Sequence, residues 1–158
     1  MMEQLAAKLS LRGYTLRSGA ADGADTAFED GCDSVHGEKE IYIAWNGFSG
    51  RLMGMNGVVH LRECKERLSY TMAEQVHPAW DRLSRGAQGL HARNCFQVLG
   101  KGLDSPSKFL VCWAPVDKQG VPKGGTRTAW VLATQNNIPC VNLAVPADLE
   151  RIQRYLED

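Results

Sequence analysis

The chain has 158 residues with 18 basic and 18 acidic side chains, so its formal net charge is zero. That length fits one domain, and 44% apolar with 23% charged residues excludes a disordered chain. No apolar run reaches the roughly 20 residues of a membrane-spanning helix, and overall neutrality argues against a general DNA coat, which needs a strongly basic surface. The opening residues MMEQLA hold no basic segment ahead of an apolar one, so the cytoplasm is the expected location and no membrane partner is expected.

The charges are unevenly spread. Residues 1–50 carry 4 basic and 8 acidic side chains, residues 51–128 carry 12 and 6, and residues 129–158 carry 2 and 4. The basic middle suits an anionic ligand or a solvated surface. Five cysteines, Cys32, Cys64, Cys95, Cys112 and Cys140, lie far apart with no C-x-x-C pair. That spacing gives no support for a zinc site and fits reduced thiols; no metal and no cofactor is expected.

Residues 2–11 read as a helix with Leu5 and Leu9 on one face, stopped by Gly13. A short strand over 14–18 follows, then a turn over 19–21 and a helix over 22–30. Residues 41–45 form a second strand. Residues 51–64, with two glycines among apolar positions, have no clear periodicity. A helix over 69–76 ends at His77 because Pro78 follows, and a short helix covers 80–83. Ser84 caps a helix running to Leu99, whose apolar stripe is Ala92, Cys95, Phe96 and Leu99. Phe109–Trp113 reads as a buried strand. After a loop over 115–123, Gly124-Gly125-Thr126 opens a helix to Gln135. A last strand covers 139–143 and a last helix 146–156. Strands alternating with helices predict one α/β domain over 1–158, three-layered and Rossmann-like, with a mostly parallel sheet and helices on both faces.

Four segments carry candidate chemistry. Ser18-Gly19-Ala20-Ala21-Asp22-Gly23-Ala24-Asp25 runs from a strand end into a helix. Small residues admit a ligand to the backbone, the helix-start N–H groups can bind a phosphate or carboxylate, and Ser18 adds a hydroxyl. Asp22 and Asp25 either cap the helix or accept a hydrogen bond from a ribose or base. Pro122-Lys123-Gly124-Gly125-Thr126-Arg127-Thr128 repeats the strand-to-helix arrangement, with glycines, hydroxyls and cations suited to a phosphate, although its spacing is not that of a P-loop. His91, Arg93 and Asn94 lie on one helix; His91 has no ligand-spaced partner, and Arg93 pairs with a phosphate or with Asp81. Trp45-Asn46-Gly47-Phe48-Ser49-Gly50-Arg51 and Trp113 follow strand ends, where aromatics and arginine can stack on a base or finish the core. Ligands of parallel sheets bind outside the carboxyl ends of the strands, so the two glycine-rich loops are expected to share a pocket.

Ser18-Gly19-Ala20-Ala21-Asp22-Gly23-Ala24-Asp25 resembles the S-G-x-A-x-G-x-D motif of the bacterial DNA-processing protein DprA. Gly124-Gly125-Thr126 with Ala129, Ala133 and Asn137-Ile138-Pro139 resembles the second glycine-rich motif of the same SLOG superfamily, which includes the Lonely Guy phosphoribohydrolases. With Leu90–Asn94 and Phe109–Trp113, the chain looks like the short DprA-like proteins of phage genomes from about Leu11 to Leu143. The resemblance implies a Rossmann-like fold and three functions. The first is non-catalytic binding of a nucleotide-type small molecule, which in a phage would sequester a defence signal. The second is single-stranded DNA binding in recombination, and the third is nucleotide N-glycosidase activity. No glutamate follows Thr126 at the spacing of the hydrolase motif, which disfavours the third. The family's usual strand ahead of the first helix is not among these residues, so an uncovered strand edge and a homo-oligomer are expected.

Overall fold

The computed structural model describes residues 1–158. Five short strands, β1 (Leu16–Ser18), β2 (Lys39–Ile43), β3 (Val58–His60), β4 (Leu110–Cys112) and β5 (Cys140–Asn142), alternate with six helices. These are α1 (Met2–Leu11), α2 (Ala24–Ser34), α3 (Glu66–Val76), α4 (Arg85–Leu99), α5 (Thr126–Gln135) and α6 (Pro146–Glu157). Short 3-10 turns cover Phe48–Gly50, Leu61–Glu63 and Trp80–Arg82.

All strand pairing is parallel, as the alternation of strands and helices predicts, but it forms two sheets. One has the order β1-β2-β3, with Arg17 opposite Glu40 and Tyr42 opposite Val59. The other pairs β4 with β5, with Val111 opposite Val141. β1 and β4 are not hydrogen-bonded to each other.

Three apolar clusters hold the layers together, one of them Tyr42 and Leu61 packed with Ala92 and Phe96 of α4. Leu5 and Ala6 of α1, Phe28 of α2, and Val141 and Leu143 pack with Ile152 and Tyr155 of α6 on one face. Ala73 of α3, Cys95, Val98 and Leu99 of α4, and Ala129, Leu132 and Ala133 of α5 lie on the other. The chain is thus a three-layer α/β, Rossmann-like fold with helices on both faces. Ser84 caps α4 as expected, its Oγ accepting from the Ala87 N–H at 3.2 Å. α4 is buried on most of its surface, because it touches α3, α5 and the first sheet.

Three expectations are corrected. α2 runs from Ala24 to Ser34 with Gly23 at its N-cap, and Asp22 does not cap it. β3 emerges from the aperiodic segment, where a three-residue strand is too short to show a period. Phe109–Trp113 is not wholly buried: Leu110 and Val111 are half-buried and Trp113 is 56% exposed, because β4 is a sheet edge. All five cysteines are free thiols. No helix is long and apolar enough to cross a membrane.

Candidate functional site: two glycine loops held by one helix

The two glycine-rich loops lie at the carboxyl ends of β1 and β4, and α4 joins them. Arg93 donates through Nη1 to the Gly19 carbonyl and through Nε to the Asn94 Oδ1 at 3.0 Å. Asn94 in turn donates through Nδ2 to the Gly125 carbonyl at 2.9 Å. Gln97 also donates to the Asn94 Oδ1, at 3.1 Å. Adjacent side chains of one helix therefore grip both loops. The Arg93 guanidinium also lies over the Phe48 ring, 5.5 Å from its centroid, and Phe48 meets Trp45 edge-on at 5.1 Å. The segment after β2 thereby joins the same assembly.

Arg93 is 6% exposed, so its charge is held in a poorly solvated place. Burial lowers its pKa, while the Asp25 carboxylate acts in the opposite direction. A Cβ at Gly19 would stand 2.5 Å from both Arg93 Nη1 and Gln97 Nε2, so a larger residue would push those two side chains from their places. The next residue, Ala20, is fully buried and held at φ 60°, in the left-handed region that non-glycine residues avoid. Asp25, in the first turn of α2, accepts the Ala21 N–H at 3.1 Å, and the Thr26 hydroxyl donates to the Ala21 carbonyl at 3.1 Å. These bonds fix the loop between β1 and α2.

The second loop is shaped by a tight turn. The Asp117 Oδ1 accepts the N–H groups of Gln119 and Val121 at 2.8 and 3.0 Å, and Val116 bridges Pro122. Gly124 then takes φ 72° and Gly125 leads into α5. Both glycines are exposed, and a Cβ at either would meet nothing within 4 Å. No side chain caps α2 or α5. Both helix starts therefore present first-turn N–H groups, to which an anion is the natural complement.

Several residues predicted as ligand contacts instead have protein partners. Thr128 is 1% exposed and its Oγ1 lies 2.7 Å from His91 Nδ1. Burial, with His77 and Arg93 nearby, holds the His91 imidazole down at about 4, so it is neutral at pH 7. Its ring meets that of His77 edge-on at 4.6 Å. Asn46 Oδ1 accepts the Met53 N–H at 2.8 Å. Arg51 pairs with Glu29 at 2.7 Å, and Lys39 pairs with the same carboxylate at 2.9 Å. Arg93 does not pair with Asp81. Thr128, His91, Arg93, Asn94, Asn46 and Arg51 thus build the frame. The side chains of Ser18, Thr126, Trp45 and Trp113 make no hydrogen bond within the protein. Trp45 and Trp113 are 43% and 56% exposed.

A cavity of about 590 Å³ lies between β1 and β4 and meets the loops only at Ser18 and Asp25. No group of three or more histidine, cysteine and acidic side chains is arranged to hold a metal ion. Sequence reasoning noted Arg93 and Asn94 but missed Gln97 and the back-bond of Asp25; the S-G-x-x-x-x-x-D spacing was the available signal for the latter. No family model, curated protein or solved structure matches the chain.

Proposed function

We propose that the protein binds a nucleotide or nucleotide-derived ligand, without chemical turnover, across the two glycine-rich loops. The phosphate would sit against Gly124, Gly125 and Thr126 and the opening amides of α5, with the opening amides of α2 within the same anionic field. Trp45 and Trp113, both exposed beyond strand ends, are the candidates to flank a base or ribose. The observation that carries this reading is the strut from Gly19 through Arg93 and Asn94 to Gly125. It holds two uncapped helix starts in fixed relation, with open space over the second. A site whose frame is built before the ligand arrives loses less ordering entropy on binding.

Turnover is not part of the reading, because the opening turn of α5 offers Thr126, Arg127, Thr128 and Ala129 and no carboxylate. The test is mass spectrometry of small molecules released when purified protein is heat-denatured, followed by calorimetric titration with the compound found. A phosphate-bearing nucleotide that binds the wild type and not Gly125→Trp supports the reading. Preferential binding of oligonucleotides, with affinity falling steeply as salt rises, would replace it with single-stranded DNA binding. Release of free base from nucleoside monophosphates would replace it with a glycosidase.

A further inference from the structure

A second cavity, of about 420 Å³, opens between α1, α6 and the strands β4 and β5. We propose that it binds a small apolar carboxylic acid, with the carboxylate on Arg12 and the hydrocarbon body inside.

The walls are hydrocarbon and come from four elements. Leu5 and Leu9 face the cavity from α1, Ile152 and Tyr155 from α6, Val111 from β4 and Val141 from β5. Tyr14 and Phe109, edge-on to each other at 5.4 Å, complete the lining. None of these residues belongs to either glycine-rich loop, so this is a different place from the proposed nucleotide site. Packed interiors leave few voids larger than a water molecule, and water finds few polar partners among these walls. The volume lies within the roughly 300–1,000 Å³ of small-molecule sites. At about 30 Å³ for each water-sized group, it has room for an acid of about ten carbons. Burying such a chain supplies the driving force.

The charge at the margin selects the head group. Arg12 is the one charged residue in the lining. It directly follows α1, and its guanidinium lies over the Tyr155 ring, 4.9 Å from the centroid. Lys8, one turn earlier, lies over the same ring at 4.5 Å and donates to the Tyr155 carbonyl at 2.5 Å. The Lys8 ammonium therefore has an acceptor. The Arg12 guanidinium has none in the protein, and neither cation forms an ion pair. A carboxylate is the group that accepts two parallel N–H bonds from a guanidinium edge. No acidic side chain of the protein lines the cavity to take that place. A cationic ligand would be repelled by Lys8 and Arg12. A nucleotide would carry polar groups into walls that cannot bond them.

The test is titration of the full chain with decanoate, decanol and decyltrimethylammonium, followed by side-chain methyl chemical shifts. The expected result is that decanoate shifts the methyls of Leu5, Leu9, Val111, Val141 and Ile152 and binds at least tenfold more tightly than decanol. The ammonium compound should not bind. Arg12→Gln, at an exposed position, should bring decanoate down to the affinity of decanol and leave decanol unchanged. Unchanged decanol binding shows that the cavity is intact in the variant. The proposal is overturned if millimolar decanoate shifts none of these methyls, or if decanoate and decanol bind alike to the wild type. It is also overturned if Arg12→Gln leaves decanoate binding as it was, or weakens both ligands equally. Because the cavity and the loops share no residue, failure here leaves the nucleotide reading standing.

Discussion

Arg93 and Gly19 lie 74 residues apart in sequence, yet the guanidinium of one donates to the carbonyl of the other and closes off the space where a Cβ would be. This contact ties the loop after β1 to α4, and Asn94 carries the tie on to Gly125. Arg93→Ala removes a buried charged hydrogen bond and leaves a void, at a cost of roughly 2–4 kcal/mol. Gly19→Ala forces Arg93 and Gln97 aside and costs about 1–3 kcal/mol. The double variant should lose less than the two costs together, since both damage one contact. Denaturant unfolding of the four proteins checks this; full additivity would mean the residues do not act on each other.

Acid should weaken the fold through His91. Its folded pKa of about 4 lies below the ordinary 6.5, so the unfolded chain takes up a proton in that interval which the folded chain refuses. Stability is then full above about pH 6.5 and falls as the pH drops towards 4. Burial raises the pKa of Glu29, but the bonds from Arg51 and Lys39 outweigh it and leave the pKa lowered from 4.5. Its contribution is present above that value and is lost only as pH falls further. Melting curves between pH 7.5 and 4.5 should therefore slope downward, and His91→Gln should flatten that slope. An unchanged slope would remove His91 from the account.

Glu29 is the shared partner of Lys39 and Arg51, and it is 5% exposed. Glu29→Gln leaves two cations with a neutral partner and should destabilise by about 1–3 kcal/mol. Loosening of the segment over 45–55, which Arg51 anchors, should accompany it. Faster amide exchange at Met53, whose N–H is bonded to Asn46, reports that loosening.

The helices were largely legible in the sequence because each has a periodic face or a stop: Leu5 and Leu9 in α1, the Ser84 cap and four-residue stripe in α4, Pro146 at the first position of α6. Strand β3 was not, since three residues after a run of glycines show no period. Both glycine loops were legible from composition alone, but not the parts their neighbours play. Nothing in Leu90–Asn94 reveals that Arg93 faces Gly19 rather than Asp81, because that depends on how α4 crosses the sheet. Likewise Arg51 reads as a free cation until Glu29, 22 residues earlier, is seen beside it. The division of the sheet was also hidden: Phe109–Trp113 is apolar enough for a central strand, and its sequence does not say that one edge is unpaired.

The thiol state follows from placement. Burial pushes Cys95 and Cys112 up to about 12 and Cys64 up to about 11, so none is a reactive thiolate at neutral pH. Alkylation of the folded protein at pH 7.5 should be slow, and all five cysteines should be modified after denaturation. A mass two protons lighter before reduction would mean a disulfide instead.

Thr126→Val keeps the side-chain size and removes one hydroxyl. It should leave Tm nearly unchanged and weaken nucleotide binding by about 0.5–1.5 kcal/mol. Thr128→Val, by contrast, strips the buried His91 of its partner and should cost about 1–3 kcal/mol of stability. The two threonines thus separate a ligand contact from a framework contact, as read by calorimetry and thermal unfolding together.

The central claim, that the two loops form one ligand site, is tested most directly by amide chemical-shift mapping while nucleoside monophosphates, diphosphates and triphosphates are titrated into labelled protein. The account predicts that one of these ligands shifts the amides of Gly19–Ala24 and Gly124–Thr128 together, along a single binding curve. Shifts confined to one loop, or no shift with any nucleotide at millimolar concentration, would contradict it.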